Sequence, residues 1–517
     1  MNKIAFSVSI LYIFFISSLY SQPCAGPDVL TSQAEINAFP ANYPGCTRIT
    51  GGLTISGPDI VNLTGLSGLD TIDAGLTIID NPVLLNFTGL SGLMHIGGGL
   101  TVNNNAVLQN FNGLTNLQSI GSLEVSGNNS LENFTGMGPV SYVYQANISN
   151  NPDLENFNGL GSVVNIQYLT VESNGAITNF TGLSALEVVY EFNVTSNNSL
   201  INFSGLPLLN SVTFLKCSLN PVLINFTGLE NIFYLYQFLV DDNSLLQSFN
   251  GISNLGLIDG SFTVANNSTL QNFSGMSSLI SIGTFDVGGN PRLKNFTGLN
   301  TLQSVPQIMF VFENDSLLSF TGLDNLGVIT NIHVGWNDLL TQFNVREDIS
   351  LGIVTITNNP NLEICCVLES GNITGSINLS GNLPSCNSLE DIIEYCDPDG
   401  DDINAPNDNC PYRANPLQQD ADLDGVGNAC DNCPLISNPN QADANNNFIG
   451  DACETPEAGK VGIGMTAPSS GLQVKEKDLY LDSSTRGLIM KNYLGNCYRL
   501  FIDEEGKLQT MLITCPN

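Results

Sequence analysis

Basic residues are scarce in this chain: Lys and Arg number 14 against 48 Asp and Glu in 517 residues, a formal net charge of −34. Nucleic-acid binding needs clustered cations to neutralise phosphates, so the composition argues against that class of partner. Only two histidines occur, His95 and His333, and neither has a Cys, an Asp or the other His at ligand spacing, so both are expected at the surface. There is no nucleophile elbow, phosphate loop or metalloprotease helix motif. Helical heptads are missing too, and beyond residue 21 no apolar run is long enough to stop transfer through a membrane.

What is present begins with residues 1–21, where Lys3 precedes an apolar core from Ile4 to Leu19 and small residues end at Ser21. This reads as a secretory signal peptide, with the mature chain starting near Gln22. A lipoprotein using Cys24 is the rival, but Pro23 stands where a small residue is expected. Thirteen cysteines in an exported chain point to disulfides. Cys217 is the exception: it sits alone at an inward strand position and reads as a small buried apolar residue.

The body of the chain is one stretch repeated. Asn86 to Leu90 reads Asn-Phe-Thr-Gly-Leu, and near-copies return every 23 or 24 residues, which places Phe at 87, 111, 134, 157, 180, 203, 226, 249, 273, 296, 320 and 343. Between them lies a short apolar alternation such as Leu76-Thr77-Ile78, followed three residues on by an Asn in register thirteen times, from Asn81 to Asn359. The alternation predicts a strand with Leu76 and Ile78 inward, and fixed-period repetition predicts a solenoid in which neighbouring coils bury each other. Stacking sets each strand about 4.8 Å above its predecessor. Asn side chains, each both donor and acceptor, are expected to bond along the axis at one corner. The Gly two after each Phe suits a corner of positive φ or close backbone approach.

Cys24 and Cys46 bracket a short helical segment, Gln33 to Phe39, and a disulfide there would seal the first coil. Cys365, Cys366, Cys386 and Cys396 follow the last strand and are expected to make two bridges whose connectivity the sequence leaves open. This Cys-bounded start, "CTRITGGLTIS", and coils of the form Leu-x-x-Phe-x-Gly-Leu-x-x-Leu-x-x-Ile resemble the L domain of the insulin and epidermal growth factor receptors over residues 24 to about 396. The resemblance implies a right-handed parallel β-helix related to leucine-rich repeats, here of about thirteen coils, acting as an extracellular binding module without catalysis. The many Asn-x-Ser/Thr triplets, such as Asn86-Phe87-Thr88, read first as fixed coil corners and second as glycosylation acceptors.

Residues 397–454 change character, with eleven Asp and one Glu against Arg413. Asp397, Asp399 and Asp401 alternate, as do Asp420, Asp422 and Asp424, and then Asp443, Asn445 and Asn447. Oxygen ligands at i, i+2, i+4 beside a Gly are what calcium requires, whereas the rival reading is a solvated acidic linker. Asp408-Asn409-Cys410-Pro411 and Asp431-Asn432-Cys433-Pro434 are each followed, twenty residues after their Cys, by Cys430 and Cys453. The block is closely similar to thrombospondin type 3 repeats. That similarity implies bridges Cys410 to Cys430 and Cys433 to Cys453, with calcium on the Asp sets and on Asp408, Asp431 and Asp451. In the third set two amides replace carboxylates, so ligand charge is lower there.

From residue 455 to 517 a small β module is expected. "GKVGIGMTAPSSGLQV" resembles a short β motif of phage tail fibres and bacterial surface proteins, and later strands leave Cys497 and Cys515 available to pair.

A further candidate surface is aromatic. Tyr144, Tyr190 and Tyr236 recur 46 residues apart just before the strand, with Tyr142, Tyr168, Phe214 and Tyr234 a few residues from that line. Such rings suit an extracellular protein or glycan partner, and the alternative is that they fill a corner where other coils have Gly. The expected protein is a secreted or cell-surface adhesion or binding protein, not an enzyme. A structural stalk and a carbohydrate-active β-helix enzyme are the alternatives, and no cluster of carboxylates on neighbouring coils favours the latter.

Overall fold

Each repeat folds as one coil of a parallel β-solenoid in the computed structural model, because its apolar residues change spacing once per turn. In the coil around Phe203, for example, Leu200, Phe203, Leu206, Leu209 and Val212 recur every third residue through tight turns, and Leu215 and Cys217 then alternate along a strand. All seven are buried. The structure describes residues 22–346, 348–370, 372–397, 399–401, 403, 407–444, 448–453, 461–463, 472–474, 489–491, 496–502 and 505–514. The signal-peptide expectation therefore lies outside the described residues, as do Asn445, Asn447 and Cys515. The chain divides into two compact units, Met1–Cys396 and Asp397–Asn517.

In the first unit one parallel ladder runs from Val29–Leu30 through Leu53–Ile55, Leu76–Ile79 and ten strands of eight or nine residues beginning at Tyr142–Ser149, ending at Ile377–Ser380. It extends past the thirteen signature coils at both ends, because the capping coils lack the Phe that marks the others. In the early coils the strand is broken in two: Arg48–Ile49 and Leu53–Ile55, or Thr71–Ile72 and Leu76–Ile79. The break falls at Thr50-Gly51-Gly52 and at Asp73-Ala74-Gly75. Where side-chain-bearing residues replace those glycines, as in Tyr142–Ser149, the two pieces fuse.

The twelve phenylalanines form one internal column, each ring centroid 4.9–6.2 Å from the next. Phe238, Phe262 and Phe285 start a second column, edge-on to the first. Gly113 shows why a Gly follows each Phe: its φ is 114°, and a Cβ there would come within 2.0 Å of the Phe87 carbonyl oxygen. At the opposite corner the asparagines stack, all buried. Asn105 Nδ2 donates to the Ile78 carbonyl at 2.9 Å and to Asn128 Oδ1 at 3.2 Å, and its main-chain N–H donates to the same Oδ1 at 3.0 Å. The buried amide of the turn thereby finds partners on the coils below and above it. The ladder takes in one more rung than the motif predicts, Asn382, whose Oδ1 accepts from Asn359 N–H.

The ends are closed by covalent bonds. Cys24 pairs with Cys46 beside a helix, Gln33–Asn42, and the far cap pairs Cys365 with Cys386 and Cys366 with Cys396 around the helix Leu389–Cys396. Cys217 is free and buried, and burial pushes its thiol pKa far up, as suits a packing residue. Asn86 Oδ1 accepts from Thr88 N–H at 2.9 Å, and Asn133, Asn179 and Asn225 do the same on their coils. These are Asx turns, which account for the triplets structurally. No described helix is long and apolar enough to cross a membrane. In the second unit, Ile489–Lys491, Cys497–Ile502 and Leu508–Ile513 form an antiparallel sheet, and Val461–Ile463 pairs in parallel with Leu472–Val474. Cys497 is disulfide-bonded.

Candidate functional site

The acidic segment has almost no apolar interior: the only buried apolar side chains described between 397 and 453 are Cys410 and Cys433. Its form comes instead from carboxylates that accept main-chain N–H groups. Asp420 Oδ1 accepts from Leu423 N–H at 2.7 Å and its Oδ2 from Gly425 N–H at 2.9 Å, which bends the loop around the Asp set. Those N–H groups, Gly425 first, hold the Asp420 carboxyl below its ordinary range.

The carboxylate oxygens of Asp420, Asp422 and Asp424 approach within 4.8 Å of one another, as do those of Asp397, Asp399 and Asp401. Both oxygens of Asp399, and Oδ2 of Asp408, Asp422 and Asp431, are shielded from solvent with no hydrogen-bond donor. Desolvation first, and then the neighbouring carboxylates, push the Asp399 and Asp422 carboxyls above their usual range. Like charges held together with orphaned oxygens are unfavourable unless a cation sits among them. A donor set made wholly of hard oxygens fits calcium.

The two sets are copies 23 residues apart. Asp401 Oδ2 accepts from Asn415 N–H at 2.6 Å, and Asp424 Oδ2 accepts from Asn438 N–H at 2.6 Å. Gln418 Nε2 donates to Asp408 Oδ1 at 2.8 Å, and Gln441 Nε2 to Asp431 Oδ1 at 2.8 Å. Cys410 pairs with Cys430 and Cys433 with Cys453. Residues 418–441 match the family model of the thrombospondin type 3 repeat. Repeats of that family are extracellular and bind calcium.

No curated relative matches the chain. Among solved structures, a leucine-rich-repeat protein of Leptospira interrogans is 15% identical over 71% of this chain and 97% of its own, with a TM-score of 0.27. At that score the likeness adds nothing to the fold described above.

The acidic segment also holds what sequence reasoning missed. The braces Gln418 and Gln441, themselves held by Asn409 and Asn432, fix the carboxylates of Asp408 and Asp431, and their 23-residue spacing was the available signal. Asp451 occupies the place of Asn428, not that of a cluster carboxylate. Its Oδ1 accepts from Ala444 N–H at 2.9 Å just as Asn428 Oδ1 accepts from Ala421 N–H, so it closes its own loop. Asp443 Oδ2 accepts from Phe448 N–H at 2.8 Å, the counterpart of the Asp420 bend.

On the solenoid, five of the seven aromatic candidates meet. Tyr144, Tyr168, Tyr190, Phe214 and Tyr236 form a continuous chain of edge-on rings with centroids 5.2–6.0 Å apart. They zigzag between two positions on successive coils, because Tyr168 is in register with Glu191 and Phe214 with Gln237, while Tyr144, Tyr190 and Tyr236 lie one residue earlier. Tyr142 and Tyr234 do not join them. They pair in register with Asn165 and Leu257, at the start of the strand. The rings lie within the fused strand, not before it as the expectation had it. Beside them a depression of about 460 Å³ is lined by Tyr168, Tyr190, Glu191, Asn193, Phe214 and Lys216, among others. Glu191 Oε1 accepts from Asn193 Nδ2 at 2.8 Å. Proximity to Tyr144 raises the Tyr168 hydroxyl pKa above its ordinary value.

His95 Nδ1 lies 2.9 Å from Ser119 Oγ, and His333 stacks on Phe310.

Proposed function

We propose that the protein is a secreted or cell-surface, non-catalytic adhesion or binding protein. Its solenoid acts as a recognition wall of the receptor L-domain type, and its type 3 repeats act as a calcium-stiffened segment. The observation that carries the recognition role is the chain of five rings from Tyr144 to Tyr236, with Tyr144, Tyr190 and Tyr236 exposed, beside the depression with Glu191 and Lys216. Aromatic rings supply contact area with little loss of rotamer entropy, and the amide and charged groups beside them give direction to a protein or glycan partner. Export is supported by five disulfides among the described residues, which persist only under oxidising conditions.

In the ribbon, Asp397, Asp399, Asp401 and Asp408 would hold one calcium ion and Asp420, Asp422, Asp424 and Asp431 a second. Bound calcium supplies charge neutralisation and an oxygen-coordinated centre for a segment without a core. The chain's own share is to aim the carboxylates through the N–H groups of Gly425, Asn415 and Asn438.

The test is a glycan and protein binding screen of the full chain in calcium, followed by the triple variant Tyr144→Ser, Tyr190→Ser, Tyr236→Ser. These side chains are half-exposed, so circular dichroism and Tm are expected to hold while affinity for any captured ligand falls by about tenfold or more. Wild-type affinity in the triple variant would remove the strip as the binding site.

A further inference from the structure

The chain has a single tryptophan, Trp336, and it stands at an exposed corner of its coil. Every signature coil puts one residue in the left-handed conformation just before its ladder Asn. Most occupants, such as Asp80, Asn104, Gly127, Asn150, Ser173 and Asn266, are glycine or short polar residues, which tolerate that region, whereas the longer side chains of Leu219, Glu313 and Trp336 are strained there. Trp336 takes it at φ 53° and leaves its indole 52% exposed. Leu219 is strained and exposed in the same way, so what sets Trp336 apart is the ring cluster and the charge around it.

The indole is part of a second ring cluster, separate from the tyrosine chain. Phe312 lies 5.7 Å from it, Phe310 6.0 Å from Phe312, and His333 stacks on Phe310 at 5.3 Å. All four face outward, since the alternating Met309, Val311, Ile332 and Val334 are the buried residues of the same strands. The rim of this patch is acidic. Glu313 occupies the same corner one coil below Trp336, its N–H donating to the Gly335 carbonyl at 3.3 Å. Asp338 follows Trp336 by two residues, and Asp315 lies one coil below Asp338 in the register set by Asn314 and Asn337. All three acids are exposed, and from residue 313 to 338 there is no Lys or Arg.

We propose that Trp336, Phe312, Glu313 and Asp338 form a docking surface for a basic segment of a partner polypeptide. An arginine side chain lies over the indole with its guanidinium toward the carboxylates. Indole is the strongest ring partner for a cation, and the planar guanidinium both stacks on it and pairs with carboxylates in a way a lysine ammonium does not. The charge of the rim is complementary to such a segment and steers its approach. This surface stands whether or not the tyrosine strip binds anything.

Because the tryptophan is unique, its fluorescence reports the site directly. Hexa-arginine and hexa-lysine peptides are titrated into the full chain in calcium. The expected result is a saturable change in emission, with hexa-arginine several-fold tighter and both weakened by salt. Trp336→Gly leaves net charge unchanged and puts at the corner the residue best suited to it, so its Tm is expected to equal or exceed that of the wild type. Its affinity for labelled hexa-arginine, read by anisotropy, is expected to fall roughly tenfold. Glu313→Gln with Asp338→Asn is expected to lower it comparably, and Trp336→Asn serves as the second corner-compatible variant. Equal peptide affinity in the wild type and both tryptophan variants would mean attraction to the acidic chain as a whole and would overturn the proposal. So would an emission that responds to neutral oligosaccharides and not to the arginine peptide.

Discussion

Residues 22–396 and residues 397–453 repeat with nearly the same period and hold together by opposite means. Each solenoid repeat adds a Phe to a column, several aliphatic residues to the interior and an Asn to a buried ladder. Each ribbon repeat adds carboxylates and one disulfide and leaves its large apolar residues outside, with Leu417, Leu423 and Leu435 at least 80% exposed. A repeat that buries hydrocarbon against its neighbour is stable by contact alone. A repeat that gathers carboxylates with orphaned oxygens has its stability set by an ion in solution. With calcium held as proposed, the same periodic device is expected to yield a wall indifferent to calcium and a segment governed by it.

Chelation separates the two most strongly. Removing calcium from the full chain is expected to abolish hydrogen-exchange protection across 397–453 while leaving the strands from Tyr142–Ser149 to Ser350–Thr357 protected. At a free calcium level a thousand times the dissociation constant, each site lost removes about 4 kcal/mol. Exchange mass spectrometry with and without chelator reads both halves in one experiment. Equal loss of protection in the solenoid, or none in the ribbon, breaks the contrast.

The converse perturbation is Phe226→Ala, in the middle of the ring column between Phe203 and Phe249. Deleting a fully buried ring is expected to cost about 3–5 kcal/mol, with no dependence on calcium. Urea unfolding of the solenoid at saturating and zero calcium checks both statements. A loss that vanishes when calcium is added would mean that the two repeat types share one stability.

Much of this was legible because one-dimensional repetition maps directly onto vertical stacking: a side chain that returns at 23 or 24 residues sits above itself. The Phe column, the Asn ladder and the Asp sets follow from that rule. What escaped it are the places where the period slips. The ring chain advances 24, 22, 24 and 22 residues from Tyr144 through Tyr168, Tyr190 and Phe214 to Tyr236. The line at 46 residues is visible in the sequence, while the rings between the tyrosines look displaced. Asn382 was missed because its coil carries no Phe, and the left-handed corner because Leu219 and Trp336 are not residues that announce one. The pairing of the four C-terminal cap cysteines depends on how the cap folds back, which no spacing encodes.

The smallest expected effect tests whether carboxylates obey the same electrostatics in both halves. Asp286 sits outward on the strand Ser281–Gly288, between Thr263 and Phe310 in register, and its half-burial pushes its carboxyl above the ordinary range. Unlike Asp399 and Asp422, whose pKa values are raised in the company of other carboxylates, Asp286 has desolvation as its only cause. The folded state thus holds the Asp286 proton more tightly than the unfolded state does. That contribution to stability is complete below the unfolded carboxyl range and is lost as pH rises through the raised folded value. Asp286→Asn keeps the shape and removes the charge, so it is expected to stabilise the solenoid at pH 7 by less than about 1 kcal/mol, solvent screening included. At pH 3 the variant and the wild type should unfold at the same urea concentration. A gain undiminished at pH 3 would assign the effect to packing against Phe310, and the solenoid carboxylate would then differ in kind from those of the ribbon.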